Sequence, residues 1–582
     1  MSKAVIRWAS GPVIRARTED VFHSYEALAV GEAGLLGEVI QLSGDELIAQ
    51  VYEDTTGLRP GDPVTGTGAP LSVRLGPGLL GGIFDGLLRP LAGLGGFRLT
   101  AGASPQQAQR FHFKPLVGKG DVLSAGQPFG RLAGAREQPC QARPGLVGTV
   151  LRIVGAGEYA DDETLCELED GTGQRHALAM THSWPVRRPR PYRERRAPNA
   201  PMITGQRIID TLFPVARGSR AALPGGFGTG KTILQEALAK WCDADVIVYV
   251  GCGERGNEMA EVLDEFPDLE DPRTGRPLME RAVIIANTSN MPVAAREASI
   301  YTAITVAEYF RDQGQHVALM ADSTSRWAEA LREVSGRLGE LPGEAGYPAY
   351  LSSRLAGFYE RAARVKTLGG EEGSVTVIGA VSPPAGDFSE PVTLHTKRFV
   401  RCFWALDPER AHARFYPAIH PLTSYSEDAQ RVAPWWQAHG NSEWVKHRER
   451  LLTLLEQQAK LERMARIVGK DALPTAQQVT LTCAELVNEA LLRQSSFSEV
   501  DRYCSPGRQA AMLRVVVHFI DRAQQAVEAG VEPGQIAALP VLAMLARLGE
   551  EFGEDRIEAI DSLWNEIDTA FHGLGEAADA VH

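Results

Sequence analysis

One stretch constrains this chain more than any other: Pro224-Gly225-Gly226-Phe227-Gly228-Thr229-Gly230-Lys231-Thr232. It satisfies the phosphate-loop pattern G-x-x-x-x-G-K-[ST] at every required position. The glycines Gly225, Gly226, Gly228 and Gly230 let the backbone turn its N–H groups inward on a polyphosphate with no Cβ in the way. Lys231 reaches the outer phosphates as a compact positive charge, and the Thr232 hydroxyl is suited to Mg²⁺. Thr232 to Trp241 reads as a helix whose N-terminal dipole adds attraction for anions. Phe227 and Thr229 complete the loop, and a nucleotide with Mg²⁺ is the ligand expected there.

Around that loop, residues Pro201 to Asp428 alternate strands with helices, the pattern of a parallel sheet. Apolar runs Val246–Val250, Ala282–Ala286, His316–Ala321, Ser374–Ile378 and Phe399–Trp404 are the predicted strands, and Val293 to Arg311 has helical composition. Upstream, Ala4 to Leu71 carries short apolar stretches broken by turns such as Ser43-Gly44-Asp45, which predicts a small barrel. A Gly/Pro-rich connection follows. A second β-rich segment from Arg110 to Trp184 reads as an inserted module. After Val432 the chain is helical, with Ser442 the expected cap of a helix over Glu443 to Ile467 and Pro506 near the start of another. The expected fold is therefore multidomain α/β: a barrel (1–71), a connecting segment (72–109), an inserted β-rich module (110–184), a phosphate-loop α/β domain (185–430) and a C-terminal helical bundle (431–582).

Composition excludes several function classes. The 582 residues carry a formal net charge of −13, which argues against nucleic acid or an anionic membrane surface as the main partner. The seven cysteines are scattered and never spaced C-x-x-C, as suits reduced thiols and no structural zinc. The 13 histidines show no metal-ligand spacing. Met1-Ser2-Lys3-Ala4-Val5 has no signal-peptide character, and Leu75 to Leu99 is too polar and glycine-broken for a spanning helix. The arginines of Trp184-Pro185-Val186-Arg187-Arg188-Pro189-Arg190-Pro191 read as a solvated connector rather than a binding patch.

In open parallel sheets, ligands sit beyond the carboxyl ends of the strands. Two carboxylates fall there. Glu254, in Gly251-Cys252-Gly253-Glu254-Arg255-Gly256-Asn257-Glu258, follows the strand ending at Val250. Asp322 follows the strand ending at Ala321. An apolar strand closed by Asp is the Walker B arrangement, although such an Asp also serves as a helix cap. Glu254 is placed to orient the water that attacks the terminal phosphoryl group, and a Glu in a glycine-rich turn is otherwise simply solvated.

Taken together, Gly225–Thr232, Gly251–Glu258, Asn287-Thr288-Ser289-Asn290-Met291-Pro292-Val293-Ala294-Ala295-Arg296-Glu297, Met320-Ala321-Asp322-Ser323-Thr324-Ser325-Arg326-Trp327 and Tyr503-Cys504-Ser505-Pro506 resemble the catalytic subunits of V/A-type (vacuolar-type) rotary ATPases. The resemblance spans essentially the whole chain. It implies a RecA-like core that binds ATP or ADP and hydrolyses or synthesises ATP with coupling to H⁺ or Na⁺ transport, with Lys231, Glu254, Arg255 and Asp322 as catalytic groups and Thr232 and Asp322 at Mg²⁺. It also implies an adenine pocket for which Phe415, Tyr416 and Phe497 are candidates, core packing being the alternative for Phe415 and Phe497. Implied partners are B subunits alternating in an A₃B₃ head and supplying an arginine finger in trans, together with central and peripheral stalk subunits. Membrane contact would be indirect, through the rotor, on the cytoplasmic face. Gly226 and His420-Pro421 depart from the family pattern. A Rho-like translocase or an export ATPase shares the core fold and is the alternative.

Overall fold

The computed structural model describes residues 2–91, 108–134, 137–271 and 273–579. At the N-terminus six strands between Lys3 and Pro70 close into a barrel, the first pairing with the last through Lys3 and Thr65. Alternate side chains such as Ile6, Ile14, Leu28, Val39 and Val51 fill its interior, the period-2 pattern of a closed antiparallel sheet. Ser43-Gly44-Asp45 turns the chain between two of these strands, with Gly44 at φ 61°. The strands between Arg110 and Leu178 form two four-stranded sheets around Phe113, Phe129, Val150 and Leu168. Of the expected connecting segment, residues 92–107 lie outside the described residues.

The largest sheet has ten strands. Its central strands are β1 (Arg220–Pro224), β2 (Val246–Glu254), β3 (Ala282–Thr288), β4 (His316–Asp322) and β5 (Glu372–Val381). They run parallel in the order β1-β5-β4-β2-β3. Ile83–Phe84 pairs in parallel with β3, so the glycine-rich connection supplies an edge strand of this sheet. β2 is buried on both faces along eight residues, as parallel strands covered by helices on each side are. Its odd members Ile247 and Tyr249 face one core, which runs on through the C-terminal helices to Met512, Phe519 and Phe571. Its even members Val246, Val248 and Val250 face the other. That second core contains α3 (Val293–Arg311), buried on all sides from Ala294 onward; α1 (Lys231–Trp241), α2 (Gly256–Asp268) and α4 (Thr324–Leu338) complete the set near the site.

Three local expectations are corrected. Phe399–Trp404 is not one strand: Pro391–Phe399 is a helix capped by Glu390, and only Cys402–Phe403 pairs. Ser442 does not cap its helix, which runs Trp444–Val468 without a side-chain cap. The arginine-rich stretch after Trp184 is not a solvated connector. Arg187 bonds Glu38 of the barrel and Glu297 of α3, both at 2.8 Å or less, and buried Arg190 holds Asp312 at 2.6 Å. A buried carboxylate is stable only when paired, so these arginines are what allow Glu38, Glu297 and Asp312 inside. Arg188 alone stays exposed, over the Trp184 ring.

Candidate active site

The site forms where β1, β2, β4 and β5 end together. Gly251 is opposite Asp322, and Pro224 is opposite Val381, so the residues that follow these strands emerge along one edge. From β1 the chain enters the loop Gly225–Gly230 and then α1. Gly228 (φ 77°) and Gly230 (φ 79°) occupy the left-handed region, where an L side chain is strained. Thr229 is buried, and its hydroxyl donates to the Gly226 carbonyl at 2.8 Å. It shapes the loop and does not face outward. Lys231 and Thr232 open α1, whose unpaired N–H groups and dipole face the loop.

Lys231 Nζ bonds the Ser382 hydroxyl and lies 3.6 Å from Asp322 Oδ1. Asp322 is the last residue of β4 and is nearly fully buried. Its Oδ2 accepts from the Tyr249 hydroxyl at 3.4 Å, whereas Oδ1 makes no hydrogen bond. Burial pushes the Asp322 carboxyl above the usual carboxylate range, and Lys231 and Tyr249 oppose the shift. The neighbouring Ser323, not Asp322, caps α4, its side chain accepting from the Arg326 N–H. Asp322 is thereby left without a capping role.

Glu254 ends β2 after a bulge at Gly253 (φ 76°). Its proton affinity is pushed up to about 7 by burial, by the Asp322 charge and by a hydrogen bond with Glu258. Glu254 lines a cleft and Asp322 lies behind Lys231 at its wall, and carboxyls displaced upward beside a cleft make it a candidate reactive site. The cleft is a cavity of about 510 Å³ lined by the phosphate loop, Lys231, Thr232, Glu254, Arg255, Ser382 and Tyr416. A buried carboxylate oxygen that accepts no hydrogen bond is a hard oxygen donor of the kind a divalent metal takes. Asp322 Oδ1 with the Thr232 hydroxyl is such a donor set.

The remaining candidates are dispersed. Arg255 is exposed, with its guanidinium 5.8 Å from the ring centroid of Phe227, which is itself 92% exposed. Tyr416 packs its ring over Gly230, 3.0 Å from where a Cβ would sit. It also borders a second cavity of about 590 Å³ that holds Phe497. Tyr416 and Ile233 line both cavities, which makes the second a continuation of the first. Phe415 turns the other way, into a separate cavity where the Arg410 guanidinium stacks on it at 3.9 Å. The structure therefore groups Tyr416 and Phe497 but not Phe415.

Four groups enter that sequence reasoning does not assign: Ser382, Tyr249, Glu258 and Arg326. Ser382 directly follows β5, so the strand-end rule that finds Glu254 and Asp322 applies to it equally. Tyr249 lies inside an apolar strand and gives no separate signal.

Comparison with known proteins covers the same ground. The description "ATP synthase alpha/beta family, nucleotide-binding domain" matches residues 205–426, and that family's beta-barrel domain matches 8–68. The "ATPsynthase alpha/beta subunit barrel-sandwich domain" matches 104–187, and the "C-terminal domain of V and A type ATP synthase" matches 433–536. The A subunit of the A-type ATP synthase of Methanopyrus kandleri is 51% identical over 579 residues, covering 98% of each chain. That of Thermococcus onnurineus is 52% identical over 576 residues, covering 97% of this chain and 98% of its own. Among solved structures, the ATPase EscN of the enteropathogenic E. coli type III secretion system covers 88% of this chain at a TM-score of 0.63. At 23% identity it testifies to the fold alone.

Proposed function

The chain belongs to the ATP synthase alpha/beta family as the A subunit of an A-type ATP synthase, the catalytic ATP hydrolase/synthase component of a rotary complex, and from that premise we propose which of its groups handle the nucleotide. The observation that carries the assignment is that Lys231 and Glu254 line one cavity at the strand ends, with buried Asp322 3.6 Å behind Lys231.

A triphosphate entering this cavity meets the loop N–H groups and Lys231, which exchanges its contacts with Ser382 and Asp322 for phosphate oxygens. A bound Mg²⁺ neutralises charge on the outer phosphates, and Asp322 Oδ1 and the Thr232 hydroxyl are the groups that would hold it, directly or through water. Glu254 orients and polarises the water in line with the terminal phosphorus. With its proton affinity raised toward neutrality, it accepts part of that water's proton more readily than an ordinary carboxylate. In synthesis the same group orients the departing water. Arg255 supports the phosphate end from the rim. The base lies beyond Tyr416, toward Phe497.

Arg255 and Phe227 face outward, so the cavity is completed from outside this chain. The family resemblance implies that a B subunit supplies an arginine there, and such a finger is worth roughly 10³–10⁵ in rate. The assembly is an alternating A₃B₃ head on stalk subunits, joined to the membrane through its rotor. No described helix is long and apolar enough to cross a membrane. The test is Glu254→Gln in the assembled complex. It is expected to abolish ATP turnover with nucleotide affinity retained; substantial residual turnover removes Glu254 from its role.

A further inference from the structure

Arg296 stands in the first turn of α3 and is buried, 8% exposed. Unlike Arg255 and Arg326, it does not line the nucleotide cavity. Its Nη2 donates to the Ser289 carbonyl at 2.9 Å, and the Ser289 N–H donates to the Glu254 carbonyl at 2.9 Å. Its side chain also lies against Gly253: a Cβ built there would be 2.7 Å from Arg296 Cδ and 2.8 Å from Nε. Nε is buried and makes no hydrogen bond, and no carboxylate pairs with this guanidinium among the described residues. Leaving a charged donor unsatisfied in the interior is costly, so its retention calls for a physical reason.

The reason lies one residue on. Glu297, the next residue, joins Arg187, which holds Glu38 of the barrel. The Glu297 carbonyl also accepts from the Trp327 indole at 3.1 Å. The first turn of α3 is therefore fixed to the barrel and to α4, and Arg296 extends from that fixed point to the bulge carrying Glu254. We infer that Arg296 is a positioning residue, holding the Gly253-Glu254 bulge through Ser289 so that the Glu254 carboxylate stays aimed into the cavity. It does not touch the nucleotide. The inference rests on Glu254 being the water-orienting group.

The test uses the assembled complex carrying Arg296→Met, which keeps the apolar stem and removes the donors, and Arg296→Lys, which keeps one donor toward Ser289. Displacing a reacting group by about 1 Å can cost on the order of 10²-fold in rate. For Arg296→Met, kcat for ATP hydrolysis is expected to fall at least about tenfold by the same reasoning, while KM and nucleotide affinity hold. Arg296→Lys is expected to recover a large part of the loss. Should Arg296→Met fail to assemble, Ser289→Pro, which removes the N–H given to Glu254, is expected to reproduce the kcat loss. Unchanged kcat in Arg296→Met, or in Ser289→Pro where Arg296→Met fails to assemble, or a loss confined to nucleotide affinity, overturns the inference. Glu254→Gln run in parallel separates the two failures: an active Glu254→Gln refutes the premise, whereas an inactive Glu254→Gln with active Arg296 and Ser289 variants refutes only this step.

Discussion

Lys231 Nζ lies 3.6 Å from Asp322 Oδ1, and both side chains are withdrawn from solvent. The same two groups are assigned to phosphate and to metal, so each keeps the other's charge compensated in the absence of nucleotide. Burial pushes the Asp322 carboxyl up, and Lys231 is the main opposing influence.

That relationship predicts non-additive stabilities. Lys231→Met leaves Asp322 buried without its cation, and removing one partner of a buried charge pair costs about 3–5 kcal/mol. The double variant Lys231→Met/Asp322→Asn is expected to be more stable than Lys231→Met alone, as read by denaturant unfolding without nucleotide. A double variant whose losses simply add would show that the pair is not coupled.

Glu254 gives a pH signature of definite sign. Its folded-state affinity is raised to about 7 from an ordinary 4.5, so the folded chain keeps a proton that the unfolded chain has released. Its contribution to stability therefore declines as pH rises from 4.5 toward 7 and then levels off. Glu254→Gln is expected to raise the nucleotide-free melting temperature at pH 8 and to leave it unchanged near pH 4.5. Equal melting temperatures at both pH values would show that the carboxyl is not perturbed.

Catalysis should follow the same group. The kcat/KM of the wild-type complex is expected to fall on the acid side with a midpoint near 7, because a protonated Glu254 cannot polarise water. Absence of an acid limb between about pH 5.5 and 8.5, one and a half units either side of the expected midpoint, would place the titrating group elsewhere.

Arg187 predicts a structural effect remote from the chemistry. Its removal strands Glu38 and Glu297, both buried, and breaking a buried charge pair costs about 3–5 kcal/mol. Arg187→Met is expected to lower stability by about that amount and to expose the junction between barrel and nucleotide domain to proteolysis. Wild-type resistance to both would contradict the clamp.

The site is legible where chemistry follows from local sequence, and illegible where it depends on pairing across the chain. The phosphate loop, Glu254 and Asp322 can be found because each ends or follows an apolar strand, and parallel sheets deliver such positions to one edge. The helix Val293–Arg311 is readable from its composition and length, whereas the burial of its charged Arg296, Glu297, Glu308 and Arg311 is not. Arg187 is easily misjudged because its partners are 149 and 110 residues away, and proline-rich basic composition describes a surface connector equally well. The strand expected over Phe399–Trp404 fails for a local reason: Glu390 caps a helix that begins at Pro391 and runs through Phe399. Ser442 resembles a cap by residue type, but the helix starts two residues later. Phe415 joins the adenine candidates on type and neighbourhood, yet adjacent residues of this loop point to different cavities.

A structure of the assembled complex with Mg²⁺ and a non-hydrolysable ATP analogue decides the matter. The terminal phosphate is expected beside Lys231 Nζ, with the metal near Asp322 and the Thr232 hydroxyl and Glu254 facing the in-line water, at heavy-atom separations of about 2.6–3.2 Å or through one water. A nucleotide bound with Glu254 or Asp322 too far away to share it would contradict the assignment.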